Sequence, residues 1–331
     1  MSTAFQIYQK GMNLVCKNQD VQYDGVYMFT NQRGKQKTAM IMPPDKPNSW
    51  VSLYGSITIS QIGKESPNGG INEMGLVVEQ TTLWQTEYPA LDERPALGEL
   101  QWIQYLLDTC STVQEALNAA SIIRIGQSTS KLHYLLADRR GERAIVEFLN
   151  GEMIVHRENA TFPIISNTPY TEALQEIKIG QREWTHWGEY ERNSMERFHV
   201  VSQAVRFESD KVPNIDFAFA TLASARREDT VYSLVYHLDL MELHAVTAHN
   251  QERVTIQLKD FDFAKDAPAQ AVNLQKLHAE HVREQFEIYT TAFNHTAITS
   301  FFRDPLLTSV FKWEISDEMI QYFAQYPDTF L

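Results

Sequence analysis

The sequence has few cysteines and no excess of positive charge. Only two of its 331 residues are cysteines, Cys16 and Cys110, too few and too far apart to predict a disulfide framework. We therefore expect both thiols to be reduced. Lys and Arg total 29 against 42 Asp and Glu, which gives a net charge of −13. Such a chain lacks the basic surface that nucleic-acid binding requires, so we expect no nucleic-acid partner.

Long apolar runs are also missing. The longest are interrupted within about eight residues, well short of the ~20 that a transmembrane helix needs, so we expect no membrane partner. Residues 1–10 lack the basic patch and the apolar stretch of a secretory signal. These two features predict a cytoplasmic protein.

Sequence motifs for cofactors and metals are absent as well. The sequence contains no Gly-x-Gly-x-x-Gly motif and no phosphate-binding loop motif, so we expect no nucleotide cofactor. His278 and His281 lack the His-Glu-x-x-His pattern of zinc proteases, and we interpret them as one face of a C-terminal helix. The sequence thus predicts neither a metal site nor a cofactor.

Apolar residues, by contrast, are plentiful enough for a large core, since 43% of the chain is hydrophobic and 11% is aromatic. Runs of β-branched and aromatic residues between turn signals predict many strands, and apolar residues at helical spacing predict helices, which together indicate a layered α/β protein. The predicted strands are Thr3–Gln9, Met12–Lys17, Gly25–Thr30, Lys37–Met42, Val51–Ser60, Leu76–Thr82, Lys131–Asp138, Ala144–Asn150, Glu152–Arg157, Val231–Leu238 and Glu242–Ala248. The predicted helices are 97–110, 111–120, Glu191–Phe207, Phe217–Ala225 and Val272–Thr290.

A two-residue turn at Lys10-Gly11 predicts a tight β-hairpin at the start of the chain. Paired positions then sum to 21, so Ser2 lies opposite Gln19 and shares a face with Lys17, while Asp20 follows the strand. After loss of the initiator methionine, the α-amino group of Ser2, whose ordinary pKa is about 8, can accept the proton of the Ser2 hydroxyl. One residue would then supply both nucleophile and base. The alternative is that a serine after an initiator methionine is common and has no functional meaning.

Eight segments of the chain share residues with one enzyme family, in the expected order from about residue 2 to residue 240. They are 2–5 (STAF), 13–20 (NLVCKNQD), 50–56 (WVSLYGS), 70–76 (GINEMGL), 101–108 (QWIQYLLD), the strands of 144–156, 165–169 (ISNTP) and 194–198 (SMERF). Together they resemble the choloylglycine hydrolase family of linear-amide hydrolases, which contains penicillin V acylases and bile-salt hydrolases. Each segment is weak alone, but the ordered series is specific.

The resemblance implies an α+β fold, the four-layer αββα Ntn-hydrolase sandwich of two antiparallel sheets. Residues 1–331 would form a single domain of this type, with a C-terminal helical extension from about residue 265. The implied activity is hydrolysis of the linear C–N amide bond of a small N-acyl substrate through an acyl-enzyme. Penicillin V-like compounds, conjugated bile acids and N-acyl amino compounds are the implied substrate classes. Family members are commonly homotetramers, so the resemblance also implies a homo-oligomer.

Position 2 departs from the family pattern, because the nucleophile of the family is an N-terminal cysteine. Three explanations stay open: a natural serine enzyme, a deliberate Cys-to-Ser substitution, and a lineage that has lost catalysis. While Met1 is present, the α-amino group of Ser2 is tied up in a peptide bond, which favours an inactive form. The alternative function is therefore a catalytically inactive family member that only binds its ligand.

Four further residues match family positions near the nucleophile. Lys17 stands where the family typically has arginine, and it keeps the positive charge but loses bidentate geometry. Asp20 matches the aspartate that orients the α-amino group, and Asn167 matches the asparagine of the oxyanion hole. Arg197 matches an arginine near the active centre. Taken without the resemblance, the last three residues are typical of a turn cap, a turn and a solvated helix face.

Two more residues are assigned to substrate binding. Thr82 is the best placement for the second oxyanion contributor, through its backbone N–H, and Trp84 is predicted to line an acyl pocket, although such an aromatic is also typical of a core. The aromatic loop Trp184–Tyr190 is interpreted as a pocket lid or a subunit contact. Cys16 is a rival nucleophile that we discount, because its exposure would require cleavage inside the predicted hairpin.

Overall fold

Two large antiparallel β-sheets form the centre of the molecule in a computed structural model that describes residues 1–9, 11–157, 162–179, 187–206 and 213–331. The first sheet has six strands. In spatial order they are β14 (Ile164–Ile165), β1 (Ser2–Gln9), β2 (Met12–Asp20), β15 (Thr230–His237), β16 (Glu242–Thr247) and β17 (Val254–Gln257).

The second sheet has nine strands. In spatial order they are β13 (Glu152–His156), β12 (Arg143–Leu149), β11 (Leu132–Ala137), β8 (Val77–Thr82), β7 (Gly69–Asn72), β6 (Ser56–Ser60), β3 (Tyr27–Asn31), β18 (Gln270–Asn273) and β19 (Glu287–Ile288). Two short pairs lie outside it: antiparallel β4 (Gln36–Thr38) with β5 (Ser49–Val51), and parallel β9 (Ala96–Leu97) with β10 (Arg124–Ile125).

Helices cover the outer faces of both sheets. The helices are α1 (Glu99–Thr109), α2 (Val113–Ile122), α3 (Tyr170–Ile179), α4 (Glu189–Arg206), α5 (Ile215–Ser224), α6 (Thr291–Phe302), α7 (Pro305–Phe311) and α8 (Asp317–Gln325). Short 3₁₀ turns occur at Leu258–Asp260, Leu274–Lys276, Val282–Gln285 and Tyr326–Thr329. In the described part of the chain, no helix combines the length and the apolar character needed to cross a membrane.

The layer order is helix, sheet, sheet, helix. Helix α4 packs on β1 and β14 and helix α5 on β2 and β15, whereas α1 packs on β7 and β8. Between them, β1 contacts β8 and β11 of the opposite sheet. One apolar core combines side chains of both sheets with α4 and α5, and a second fills the space between the nine-stranded sheet and α1 and α2. The predicted four-layer αββα arrangement of two antiparallel sheets is confirmed.

The N-terminal hairpin has the register that the sequence predicts. Ser2 pairs with Gln19 and Ala4 with Lys17, so all four side chains lie on one face of β1 and β2. Gly11 adopts a φ of +80°, a backbone conformation that glycine allows without steric cost. Lys10, the other turn residue, lies outside the described residues. The position of Ser2 therefore follows from the turn.

The helix predicted for Val272–Thr290 is wrong. Val272 pairs with Met28 of β3, and this segment forms β18 and β19 at the edge of the nine-stranded sheet. His281 has a φ of +51°, so His278 and His281 do not share the face of a helix. The free edge of β3 decides this outcome, because it offers backbone partners that a local apolar period does not reveal. The first helix of the C-terminal region begins only at Thr291, and the division of the chain into a domain and an extension stays a prediction.

A buried charge cluster ties β4 to α1 beneath the end of the chain. Lys37 Nζ lies 2.8 Å from Glu65 Oε2 and 2.9 Å from Asp108 Oδ2, and all three side chains are at most 2% exposed. Trp50 Nε1 donates a hydrogen bond of 2.8 Å to Asp108 Oδ2, and the ring of Phe330 lies 5.2 Å from Lys37 Nζ. The C-terminal segment thus helps to keep water from these charges.

Replacing Lys37 with methionine is expected to lower the free energy of unfolding by about 3–5 kcal/mol, because buried Asp108 loses its cation and Glu65 keeps only Lys64 at 3.9 Å. Urea denaturation measures this change. The matched control is Lys46→Met, since the Lys46 side chain is 64% exposed and pairs with an exposed Glu93. We expect the control to cost about 1 kcal/mol or less. Equal losses in the two variants would contradict the structural role of the cluster.

Candidate active site

Ser2 lies at the start of β1, buried between several polar groups. It is 2% exposed, and its Oγ donates to the carbonyl oxygen of Met1 and lies 3.2 Å from Gln19 Oε1. The Ser2 nitrogen donates a hydrogen bond of 3.2 Å to Asn167 Oδ1. Both groups that an N-terminal nucleophile uses, the hydroxyl and the main-chain nitrogen, are therefore held by protein partners.

Met1 continues the hairpin by one residue. Its terminal amino group donates to the carbonyl oxygen of Asp20 at 2.8 Å, and the Asp20 N–H donates to the Met1 carbonyl oxygen at 3.1 Å. Burial lowers the pKa of the Met1 amino group to about 6, against the opposing charge of Asp20. While Met1 is attached, the nitrogen of Ser2 is an amide that cannot accept a proton from the hydroxyl. Loss of Met1 would place an amine at that position.

Arg197 of helix α4 joins Ser2 to Asn167. Its Nη1 donates to the Ser2 carbonyl oxygen and to Thr3 Oγ1, both at 2.6 Å, and its Nη2 donates to Asn167 Oδ1 at 2.6 Å. Burial lowers the pKa of Arg197 to about 10, a shift that the Asp20 carboxylate opposes. The guanidinium is therefore still a cation at neutral pH, and it fixes which end of the Asn167 amide carries the N–H groups.

The amide nitrogen of Asn167 faces the end of strand β8. Asn167 Nδ2 donates a hydrogen bond of 2.7 Å to the carbonyl oxygen of Thr82. The part of Thr82 that reaches Asn167 is thus its carbonyl oxygen, whereas the sequence analysis assigned its N–H to the oxyanion. An amide nitrogen carries two hydrogens, and the hydrogen bond to Thr82 uses one of them.

Asp20 is a buried carboxylate at the end of β2. Its Oδ1 accepts a hydrogen bond of 2.7 Å from Thr230 Oγ1, and its Oδ2 lies 3.9 Å from Arg197 Nη1. Among the residues that the structure describes, Oδ2 has no hydrogen-bond partner. Burial raises the pKa of Asp20, and the Arg197 charge opposes that shift. An acceptor without a donor is therefore present one residue from the strand partner of Ser2.

Lys17 extends from the face that it shares with Ser2 to strand β8 of the opposite sheet. Its Nζ donates to the carbonyl oxygen of Gln80 and lies 3.7 Å from Glu79 Oε2, and Glu79 Oε1 accepts a hydrogen bond of 2.6 Å from the Tyr236 hydroxyl. Burial lowers the pKa of Lys17, a shift that the Glu79 carboxylate opposes, and burial raises the pKa of Glu79. The two residues form one buried ion pair.

Sequence reasoning placed Gln19 opposite Ser2 without giving it a role, and it missed Glu79. A glutamate directly after two valines in a predicted strand is a signal that was available, since an ionisable side chain in a buried strand needs a partner. The glycine opposite it, Gly69, makes room, because a Cβ at that position would overlap the Glu79 carboxylate. Gln19 was available from the hairpin register, which places it opposite Ser2.

A cavity of about 580 Å³ opens beside Met1. Its lining is polar and comes from Met1, Glu189, Tyr190, Arg192, Asn193, Glu196 and Arg227. Trp84 is 54% exposed and contacts this region through the ring of Tyr190, at a centroid distance of 6.3 Å. Of the predicted aromatic loop, residues 184–186 lie outside the described residues. The cavity thus opens next to the first residues of the chain.

The site differs from a metal centre in its donors. Ser2, Asn167 and Arg197 offer a hydroxyl, amide groups and a guanidinium, and Asp20 is the one carboxylate among the predicted site residues. Within the described ranges, no group of three or more His, Cys, Asp or Glu side chains is arranged to hold a metal ion. The arrangement instead brings a hydroxyl, an amide and a guanidinium together at the start of β1.

Comparisons with known proteins identify the family and the fold. The model of the family described as linear amide C-N hydrolases, choloylglycine hydrolase family, matches residues 4–190. The penicillin V acylase of Pectobacterium atrosepticum is 31% identical over 136 residues, which cover 36% of this chain and 36% of that protein. The chain thus aligns with about a third of the length of that curated relative.

Two solved structures share the fold over nearly their whole length. Penicillin V acylase from Agrobacterium tumefaciens superimposes with a TM-score of 0.71 at 20% identity, over 88% of this chain and 98% of that one. A variant of conjugated bile acid hydrolase from Clostridium perfringens gives 0.68 at 16% identity, over 85% and 99%. Together with the family match over residues 4–190, the fold and the site lead to one conclusion: this chain belongs to the choloylglycine hydrolase family of linear amide C–N hydrolases.

Proposed function

We propose that this chain, after loss of Met1, hydrolyses the C–N bond of a small N-acyl amide with Ser2 as the nucleophile. The observation that carries the proposal is the contact of Asn167 Oδ1 with the Ser2 nitrogen at 3.2 Å, bridged by Arg197 to both residues. A family of linear amide hydrolases supplies the reaction class. The groups around Ser2 are proposed to transfer the proton and to stabilise the oxyanion.

The reaction begins when the free α-amino group of Ser2 accepts the proton of the Ser2 hydroxyl, while Oγ bonds to the carbonyl carbon of the amide. The negative charge that develops on the carbonyl oxygen is stabilised by the unused N–H of Asn167. The ammonium group then gives its proton to the leaving nitrogen as the C–N bond breaks. An amine leaves, and an acyl ester remains on Oγ.

Water completes the cycle by attacking the ester carbonyl. The α-amino group of Ser2 accepts a proton from that water and returns it to Oγ as the ester bond breaks, so a carboxylic acid is released and the enzyme is restored. The unpartnered Oδ2 of Asp20 is suited to orient this amino group, since a buried carboxylate oxygen gains a donor when the ammonium forms.

Lys17 acts mainly through its pair with Glu79. At 3.7 Å the two opposite charges offset each other, so the pair projects a weaker field toward Ser2 than an unpaired cation would. A hydroxyl nucleophile tolerates this, because it loses its proton to the α-amino group during attack and does not depend on a resting anion. A thiolate would depend on such a cation more strongly.

Penicillin V-like compounds, conjugated bile acids and N-acyl amino compounds are the proposed substrates, and the polar cavity beside Met1 is the proposed entrance. Thr82 and Trp84 are proposed to contact the substrate near Asn167. A cytoplasmic location and a homotetrameric assembly stay predictions that follow from the sequence and from the family resemblance.

The decisive experiment compares two forms of the same chain. One form is produced with a leader whose cleavage leaves Ser2 as the first residue, and the other retains Met1, as intact-mass analysis verifies. Turnover of penicillin V, a glycine-conjugated bile acid and an N-acyl-homoserine lactone is then measured. We expect turnover of at least one of them, and an acyl-enzyme mass, in the Ser2-first form alone.

A Ser2-first form without turnover and without acyl-enzyme would count against the serine mechanism. Ser2→Cys in the same form separates the remaining explanations. If it restores turnover, a thiol has been replaced at this position, by design or by recent loss. If it also fails on all three amides, the chain is a ligand-binding member of the family, and the enzymatic proposal is abandoned.

A further inference from the structure

A buried His–Glu–His cluster lies behind the turn that carries Asn167. His133 Nδ1 lies 3.0 Å from Glu147 Oε1, and His156 Nε2 lies 2.9 Å from Glu147 Oε2. His133 and Glu147 are fully buried on the neighbouring strands β11 and β12. No step of the proposed reaction uses these three residues, although they belong to the same end of the two sheets as the candidate site.

The cluster is connected to the Ser166 carbonyl oxygen. His133 Nε2 lies 3.0 Å from that oxygen and 2.5 Å from Thr81 Oγ1, and the Thr81 hydroxyl donates to the same carbonyl oxygen. The Ser166 carbonyl and the Glu147 carboxylate only accept hydrogen bonds, so both ring nitrogens of His133 face acceptors. Its Nε2 lies within hydrogen-bond distance of both the Ser166 carbonyl and the Thr81 hydroxyl.

Glu147 is held as a carboxylate in this arrangement. Burial opposes its charge, but hydrogen bonds from His133 and His156 outweigh that penalty and lower the pKa of Glu147 to about 2. The N–H of Tyr170 adds a third donor at 2.9 Å to Oε1. A carboxylate with three donors is a rigid anchor for the His133 ring.

The peptide group between Ser166 and Asn167 is consequently fixed at both of its ends. His133 and Thr81 hold its oxygen, and its N–H, which belongs to Asn167, donates to Ser194 Oγ at 2.8 Å. A peptide plane held from both sides cannot rotate without breaking buried hydrogen bonds, and its orientation sets the direction in which the Asn167 side chain leaves the backbone.

We propose that His133, anchored by Glu147, is a positioning residue that orients the amide of Asn167 for the oxyanion by holding the Ser166 carbonyl. The inference rests on the proposed function, since it assigns His133 to the support of that same site. Among the described residues, the hydrogen bonds of His133 go to Glu147, Thr81 and Ser166 and not to Ser2. The effect of His133 is therefore expected in kcat, through the placement of Asn167, and not in KM.

The first test is a double-mutant cycle in the Ser2-first enzyme. His133→Gln is expected to lower kcat about 10- to 100-fold with KM nearly unchanged, because a misplaced oxyanion donor costs rate and not ground-state binding. In the Asn167→Ala background the same change should cost less than about twofold, since the residue that it positions is gone. Equal losses in both backgrounds would overturn the proposal.

Two further variants test whether a lower kcat comes from the Ser166 carbonyl contact or from unfolding. Thr81→Val removes one hydrogen bond to the Ser166 carbonyl and keeps the side-chain shape, so it should lower kcat in the same direction by a smaller factor. His244→Gln is the matched control. His244 lies on β16, is 7% exposed, and its Nδ1 lies 3.0 Å from Thr255 Oγ1 on the neighbouring strand β17. Its kcat should stay within about twofold of the parent enzyme.

A second readout separates failure of this inference from failure of the proposed function. The side-chain amide signals of ¹⁵N-labelled asparagine report on Asn167 whether or not the chain turns over a substrate, and Asn167→Ala identifies them. His133→Gln should shift or broaden these signals, and His244→Gln should leave them unchanged. If the parent is inactive but the shift is seen, the positioning stands and the proposed function fails. Unchanged Asn167 signals in His133→Gln would refute the positioning.

Discussion

Replacing Ser2 with alanine in the Met1-free chain is expected to lower kcat by about 10⁵- to 10⁶-fold, the scale seen when a covalent nucleophile is removed. The reason is that no acyl ester can form, while the amino group and the oxyanion donors stay in place. Residual activity then comes from binding and oxyanion stabilisation alone. Steady-state turnover of the best amide from the substrate panel, with intact-mass detection of the acyl-enzyme, measures the loss.

The control for this prediction is another buried serine. Ser202 on α4 is fully buried and donates to the His199 carbonyl oxygen at 2.8 Å, so Ser202→Ala removes a hydroxyl of the same kind that does not touch the reacting atoms. We expect its kcat to stay within about tenfold of the parent, since only a single neutral hydrogen bond is lost. Comparable turnover by the Ser2→Ala and parent chains would mean that Ser2 is not the nucleophile.

Replacing Asn167 with alanine is expected to lower kcat about 10²- to 10³-fold, which corresponds to about 3–4 kcal/mol of transition-state stabilisation. The change also removes Oδ1, which accepts hydrogen bonds from Arg197 and the Ser2 nitrogen. The group expected to act on the reaction is the second N–H of Nδ2, since the first bonds the Thr82 carbonyl at 2.7 Å. Because this N–H bonds the carbonyl oxygen most strongly once that oxygen carries charge, KM should change little. Rapid-mixing or steady-state kinetics at saturating substrate measures the effect.

Asn13→Ala provides the comparison for Asn167. Asn13 is also fully buried, and its Nδ2 donates to the Asp138 carbonyl oxygen at 2.9 Å at the other end of the hairpin. It should lower the free energy of unfolding without a specific loss of kcat. A higher KM for Asn167→Ala, with kcat unchanged, would instead mean that Asn167 binds the substrate and does not form the oxyanion hole.

The structure of the first twenty residues could be predicted from local sequence. A two-residue turn sets the register of a hairpin, and the register places Ser2 opposite Gln19 and on the face of Lys17. The period of alternating apolar residues likewise identified most strands, since a buried strand must repeat its pattern whatever it packs against. These predictions succeeded because the physics that decides them acts within a few residues.

The C-terminal region shows the limit of the same reasoning. Residues 272–290 were predicted as a helix, but they lie at the edge of the nine-stranded sheet, where Val272 pairs with Met28. Their apolar spacing fits either structure, and the choice depends on an open strand edge that is more than 200 residues away in sequence. Local propensity does not contain that information.

The sequence alone determined the nucleophile candidate, the hairpin that holds it and the identity of the residues that resemble a family of amide hydrolases. Only the tertiary structure decided how they meet. Asn167 and Arg197 contact Ser2 because β14 and α4 pack against β1. Lys17 pairs with Glu79 because the two sheets face each other. Turn geometry is settled by neighbours in the chain, whereas contacts between layers depend on the packing of the whole core.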